Sequence, residues 1–202
     1  MKDALIIFAK NPILGNAKTR IAQSSSPEKA LEIYLNLLGI TLEESKSLPM
    51  DKIIYWDEIP TDSSQLKHFD SYYHKVQSRG NLGDRLKNAF LESFQNYQNL
   101  VVIGSDCPEL KSEILLESFQ ILKENRQIPI GPALDGGYYL LGLYEFREEW
   151  FQNIPWSTEK VLELSLNIAK KMNYSVNLLP ELRDIDEWED YQLFFESNQK
   201  RL

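Results

Sequence analysis

A chain of 202 residues can bury one sizeable hydrophobic core and is too short for two ordinary domains without a visible linker, so one domain over residues 1–202 is expected. A content of 43% hydrophobic and 26% charged residues excludes a disordered or fibrous protein, and a net charge of −8 sets an unfavourable field against nucleic acid as a partner. The lone Cys107 excludes an internal disulfide and argues against a cysteine zinc site; with an N-terminal apolar stretch too brief for a signal peptide or membrane span, it points to the cytoplasm.

Leu5 to Phe8 form a continuous apolar run that reads as a strand buried on both faces, followed by a loop carrying Pro12 and Gly15. From Pro27, apolar residues at Leu31, Tyr34, Leu38 and Leu42 recur at helical spacing. Ile53 to Trp56 reads as a second strand, and Leu82, Leu86, Phe90, Phe94 and Tyr97 line another helix. Leu100 to Ile103 is a third strand, Ser112 a candidate cap for the helix after it, Ile128 to Ile130 a short strand and Tyr138 to Leu143 a further one. Ser157 is a candidate cap for a helix burying Val161, Ser165, Ile168 and Met172; a strand over Tyr174 to Leu179 and a helix from about Glu187 complete the chain. This alternation predicts an α/β fold, a mainly parallel sheet with helices on both faces, in which ligands bind at the carboxyl ends of the strands.

Four segments at predicted strand ends carry more Gly, Asp and basic residues than plain connections need: KNPILGNAKTR, GSDCP, ALDGGYYLLGL and RDID. In the first, Lys10, Lys18 and Arg20 bracket Gly15 and suit a phosphorylated ligand, the alternative being solvated surface charge. A P-loop is disfavoured, because Ala17 and Pro12 stand where that motif requires glycine. Asp106 follows a buried strand and is a candidate ligand for Mg²⁺ or Mn²⁺, with Asp184 or Asp186 as a second acid; capping or turn roles are the alternatives for all three. Asp135 to Gly137 also reads as a hairpin turn. His68 and His74 have no partner motif for a triad. Trp56, Trp150 and Trp188 read as packing residues, and Trp156 as a piece of substrate wall.

Taken in order, FAKNPILGNAKTR, QSRGNLGDRL, VVIGSDCPEL, GPALDGGYYLLGL, IPWST and LRDIDEWEDY resemble a bacterial glycosyltransferase-like family formerly known only as a domain of unknown function. That family is associated with arsenosugar biosynthesis and is related to the guanylyltransferases of molybdenum cofactor and phospholactate-derived cofactor synthesis. The resemblance implies a GT-A type, Rossmann-like three-layer α/β/α fold of the nucleotide-diphospho-sugar transferase superfamily. It implies phosphate contacts from Lys10, Lys18 and Arg20, a nucleotide pocket formed with Gly80, Gly83 and Arg85, and a metal held by Asp106 and Asp186, with Asp184 as substitute. Asp135, Gly136 and Gly137, with Trp156 and Ser157, would line the acceptor side. One departure is visible: sugar nucleotidyltransferases carry a glycine-rich first loop, and here Lys10, Asn11 and Pro12 replace those glycines.

The expected activity is glycosyl transfer from a nucleotide-diphospho-sugar to a small acceptor, with Asp106 on the metal and Asp135 taking the acceptor's proton. The alternative is nucleotidyl transfer from an NTP with release of pyrophosphate. A third expectation, from a different class, is a nucleotide-binding protein without turnover.

Overall fold

The computed structural model describes residues 2–60 and 71–199. Its strands are β1 (Lys2–Ala9), β2 (Asp51–Trp56), β3 (Tyr73–Val76), β4 (Tyr97–Ile103), β5 (Ile128–Pro132), β6 (Tyr138–Leu143) and β7 (Val176–Leu178). They form one seven-stranded sheet in the order β3-β2-β1-β4-β6-β5-β7. Only β6 runs against its neighbours, pairing antiparallel with β4 and with β5. The chain winds outward from β1 through β2 to β3 and then crosses to β4 on the other side of β1. That reversal opens a crevice at the carboxyl ends of β1 and β4.

The apolar runs of β1 and β4 follow from burial on both faces. Leu5, Ile7, Ile54, Trp56, Val101 and Ile103 point into one core layer with Tyr34, Leu38, Leu115 and Phe119. The alternate residues Ala4, Ile6, Ile53, Leu100 and Val102 point into the other, with Leu86, Phe90 and Ala169. Helices α2 (Pro27–Lys46) and α4 (Ser112–Gln120) therefore cover one face, and α3 (Leu82–Ser93) and α5 (Val161–Lys171) the other. This is the three-layer α/β/α architecture expected. A short α1 (Thr19–Ser24) and the C-terminal α6 (Trp188–Gln199) pack beside α2 around Ile21, Ile33 and Ile185. Among the described residues, no helix is long and apolar enough to cross a membrane.

Several local expectations are corrected. The helical spacing that reaches Tyr97 overruns the helix, which ends at Ser93; Tyr97 already opens β4. Ser112 is the first residue of α4 and not its cap. Its N–H is instead accepted by Glu44 of α2 at 3.0 Å, the carboxylate that Lys111 also binds at 2.9 Å. Ser157 does not cap α5, which begins four residues later behind Lys160; Ser157 sits in the left-handed region at φ 64°. The last strand is limited to Val176–Leu178. Trp56 and Trp150 are buried as expected, and Trp188 packs half-buried against the Ile21 cluster. His74, on β3, accepts the Trp56 indole N–H at 3.0 Å and stacks on that ring, a structural role; His68 lies outside the described residues.

Candidate active site

A cavity of about 590 Å³ opens at the carboxyl edge of the sheet. Four of the short segments singled out in the sequence meet there for a topological reason. The loop after β1 and the loop after β4 flank the switch point, and the β5–β6 hairpin turns back at the same edge. The segment after β7 is sewn across it: Leu182 N–H donates to Pro132 at 3.1 Å, Leu134 N–H to Leu182 at 3.2 Å, and Ile185 N–H to Asp106 at 2.9 Å. These backbone bonds carry Asp184 and Asp186 to Asp106.

The centre of the site is an ion-pair cluster. Lys18 Nζ lies 3.1 Å from Asp106 Oδ2 and 3.0 Å from Asp186 Oδ1. Burial by itself lowers the pKa of the Lys18 ammonium, but the attraction of Asp106 and Asp186 outweighs it and leaves the pKa raised. Asp184 stands beside them, largely buried, with an Oδ1 that has no hydrogen-bond partner. Desolvation, reinforced by the charges of Asp106, Asp135 and Asp186, pushes its pKa well above the usual carboxylate range, with Lys18 opposing. The capping alternative for Asp184 and Asp186 is not realised, because the N–H groups of Asp186 and Glu187 at the start of α6 donate to Asp190 at 3.2 and 3.0 Å. Asp106 likewise precedes α4 by six residues and faces the cavity. A buried unpartnered carboxylate oxygen next to two acids joined only by an ammonium is a donor set that suits a hard divalent cation. Among the described residues, no group of three or more acidic, histidine or cysteine side chains is placed to hold a metal ion by itself. Such an ion would take its remaining ligands from water and substrate.

The loop after β1 is held rigidly. Tyr34, on α2, accepts the Lys10 N–H and donates to the Lys10 carbonyl, both at 2.7 Å. Asp57 accepts the Asn11 N–H at 2.6 Å and the Asn16 side-chain amide at 3.2 Å. Ile13 and Asn16 donate their N–H groups within the loop, and Pro12 has none. The start of this loop therefore has few free amides with which to cradle a polyphosphate, and its cations project from a fixed frame. Lys10 and Arg20 are exposed, Arg20 with only a 3.8 Å contact to Glu187. Replacing Tyr34 with phenylalanine is expected to cost about 1–2 kcal/mol in a urea melt, because it removes two hydrogen bonds at a nearly fully buried side chain. A variant as stable as the parent would show that the loop does not depend on this clamp.

Arg85 lines the cavity from α3, and its Nη1 donates to Gln77 Oε1 at 3.0 Å. Gln77 was not evident from sequence. Its Nε2 donates to the carbonyls of Ala9 and Tyr55, at 3.1 and 2.8 Å, where β1 and β2 end, so the orientation of its amide is determined and its oxygen must face Arg85. Tyr138, expected only as the start of a strand, and Glu159 also line the cavity.

Asp135, Gly137, Trp156 and Ser157 also line the cavity, and the pairing of Ala133 with Leu182 brings Asp135 close to the segment that carries Asp184. Asp135 is part of a hairpin turn, as the alternative reading held, and it also faces the cavity: its Oδ1 accepts the Gly137 N–H at 2.8 Å, and among the described residues its other oxygen has no hydrogen bond. Gly80, Gly83 and Gly136 do not line the cavity; they shape it. Gly80, at φ +115°, turns the chain into the Asn81–Asp84 capping box of α3. Gly83 lies under the Trp156 indole, and Gly136 lies against the backbone of Glu159. Trp156 meets Tyr138 edge to face, ring centres 6.3 Å apart.

The sequence profile of a family described as an uncharacterized protein conserved in bacteria, DUF2064, matches residues 44–158. No curated protein matches the chain significantly. Among solved structures, a candidate nucleotide-diphospho-sugar transferase from Desulfovibrio desulfuricans G20 superposes with a TM-score of 0.89 at 27% identity, covering 98% of this chain and 88% of that one. The 4-diphosphocytidyl-2C-methyl-D-erythritol synthase of Anaerococcus prevotii DSM 20548 gives 0.63 at 11% identity, over 98% and 96% of the two chains. Rv0371c of Mycobacterium tuberculosis H37Rv, in complex with manganese, gives 0.61 at 13% identity, over 98% and 100%. At 11% and 13% identity the shared property is the fold, that of nucleotide-diphospho-sugar transferases and cytidylyltransferases. With more than half its length matched by the family profile, this chain belongs to the DUF2064 family.

Proposed function

We propose that the chain is a single-domain glycosyltransferase, using Mg²⁺ or Mn²⁺ to transfer a sugar from a nucleotide-diphospho-sugar to a small acceptor. The observation that carries this reading is the composition of the cavity wall. Lys10, Lys18, Arg20 and Arg85 face the same volume as Asp106, Asp135, Asp184 and Asp186. Cations alone would suit a bare phosphate and acids alone a bare metal ion; the mixture suits a metal–diphosphate pair. The similarity to the Desulfovibrio protein supports the same donor class.

Asp106 and Asp186 would hold the ion, with Asp184 in reserve, and when bound it supplies charge neutralisation at the donor diphosphate. Lys10, exposed on the rigid loop, and Arg20, exposed in the first turn of α1, add positive charge where the diphosphate departs. Arg85, oriented by Gln77, lines the nucleotide side. Beside these acids, the second carboxylate oxygen of Asp135 accepts the proton of the acceptor hydroxyl as the hydroxyl oxygen bonds to the anomeric carbon and the bond from that carbon to the β-phosphate oxygen breaks. The Gly137 N–H fixes the carboxylate plane for that transfer. Trp156 and Tyr138 provide a wall against which an acceptor can be seated with its hydroxyl near Asp135.

Nucleotidyl transfer is the second reading, favoured by the fold shared with the Anaerococcus synthase. It is weakened by the first loop, whose leading amides are engaged internally and not arranged to embrace a triphosphate. A thermal-shift panel of NTPs, nucleoside diphosphates and nucleotide-sugars, with and without Mn²⁺, tests the assignment. Metal-dependent stabilisation by a nucleotide-sugar supports glycosyl transfer; stabilisation by NTPs alone moves the assignment to nucleotidyl transfer; no shift with any nucleotide defeats both. Once a donor is found, Asp135→Asn is expected to lower kcat by about 10²–10⁴-fold, the usual contribution of a general base, with donor binding little changed. An unaffected kcat would exclude Asp135 as the base.

A further inference from the structure

We infer that Lys18 is a resident counter-cation that competes with the divalent ion for Asp106 and Asp186, so that the metal binds weakly until a phosphorylated donor arrives to receive the displaced ammonium. The inference rests on the metal-dependent reading above.

Four observations carry it. The Lys18 ammonium contacts one oxygen of each acid, at 3.1 and 3.0 Å, so an ion drawn to those acids meets a resident unit positive charge already bound to both. The lysine side chain is 8% exposed, whereas the two aspartates are 35% and 46% exposed, so the acids are reachable from the cavity while the cation holding them is recessed. The Lys18 backbone is fixed, with φ 50° and ψ 47°, and its carbonyl accepts the Ala22 N–H at 3.0 Å; the arrangement is set by the fold and not by a wandering side chain. Lastly, Asp184 adds a third carboxyl whose Oδ1 is unpartnered, so withdrawing the ammonium leaves a strongly cation-attracting group. Lys18 lines the same cavity as Lys10 and Arg20, which lets a displaced ammonium join them at a donor phosphate.

The test is Mn²⁺ binding to the full chain without nucleotide, by calorimetry, in the parent, Lys18→Met and Asp106→Ala. Lys18→Met is expected to bind Mn²⁺ about tenfold tighter or more than the parent, since a unit positive charge about 3 Å from both acids is gone. Its metal-free melting temperature should fall and recover on adding Mn²⁺. As a readout that does not depend on the variant folding, acetylation of Lys18 in the parent, followed by mass spectrometry, should speed up severalfold when Mn²⁺ is added. Equal or weaker Mn²⁺ binding in Lys18→Met, or a labelling rate indifferent to bound Mn²⁺, overturns the inference while leaving the metal site standing, provided Asp106→Ala abolishes binding. If neither parent nor Lys18→Met binds Mn²⁺, the metal-dependent reading fails and takes the inference with it.

Discussion

Asp106→Ala is expected to abolish metal-dependent stabilisation by nucleotides and to reduce turnover at least about a hundredfold, beyond the 10–100-fold typical of outer-shell changes at metal sites. Asp106 holds one of the two carboxylate oxygens that bind Lys18 and stands at the topological switch point, so no neighbouring acid can take its place without moving the chain after β4. The effect on the metal-free fold should be small. Removing Asp106 takes one of two partners from the recessed Lys18, but it also removes the acid whose charge bears most heavily on the buried Asp184. These changes oppose each other, so the metal-free melting temperature should move little while the metal-dependent shift disappears. Parallel melts with and without Mn²⁺ separate the two effects. A variant that keeps its metal-dependent shift would place the ion elsewhere.

Gly83→Ala is expected to be strongly damaging for so small a substitution. In an ordinary helix, alanine gains about 0.5–1 kcal/mol over glycine. At position 83 the added Cβ would lie 1.9 Å from the Trp156 Nε1 and 2.5 Å from two ring carbons, so the indole must leave its seat. Overpacking of this kind costs about 1–3 kcal/mol, and loss of the edge-to-face pair with Tyr138 about 0.5–1.5 kcal/mol more. Net destabilisation of about 2 kcal/mol is expected, together with weakened ligand binding, because the displaced ring forms part of the cavity wall. Gly39→Ala is the control: it lies exposed within α2, nothing stands within 4 Å of its added Cβ, and it should stabilise. Melting temperatures and tryptophan emission of the two variants measure the contrast. Equal stabilisation of both would show that Trp156 is not seated on α3.

The centre of the sheet can be read from apolar runs alone. β1, β2 and β4 were legible because strands covered on both faces need unbroken apolar runs, and the place of Asp106 at the cavity was legible because it follows such a strand at the edge where α/β sheets bind ligands. The edge strand β3 was not legible: Tyr73 and Val76 are exposed and His74 and Lys75 half-buried, so no run or alternation marks it. Nor could spacing place the end of α3, since Tyr97 continues the three-and-four rhythm after the chain has already turned into β4.

Which polar residues meet is set by the packing of distant segments. Tyr34 sits on the buried face of α2 and reads as packing, yet its hydroxyl holds the backbone of Lys10; Gln77 is one amide in a polar stretch until the ends of β1 and β2 fix its two hydrogens. Lys18 and Asp186 are 168 residues apart, and their 3.0 Å contact exists because backbone bonds sew the segment after β7 across the carboxyl edge of the sheet. Hydrophobic periodicity is a local property and records which residues avoid water. The convergence of charges on one cavity is set by strand order and loop docking, which no local pattern encodes.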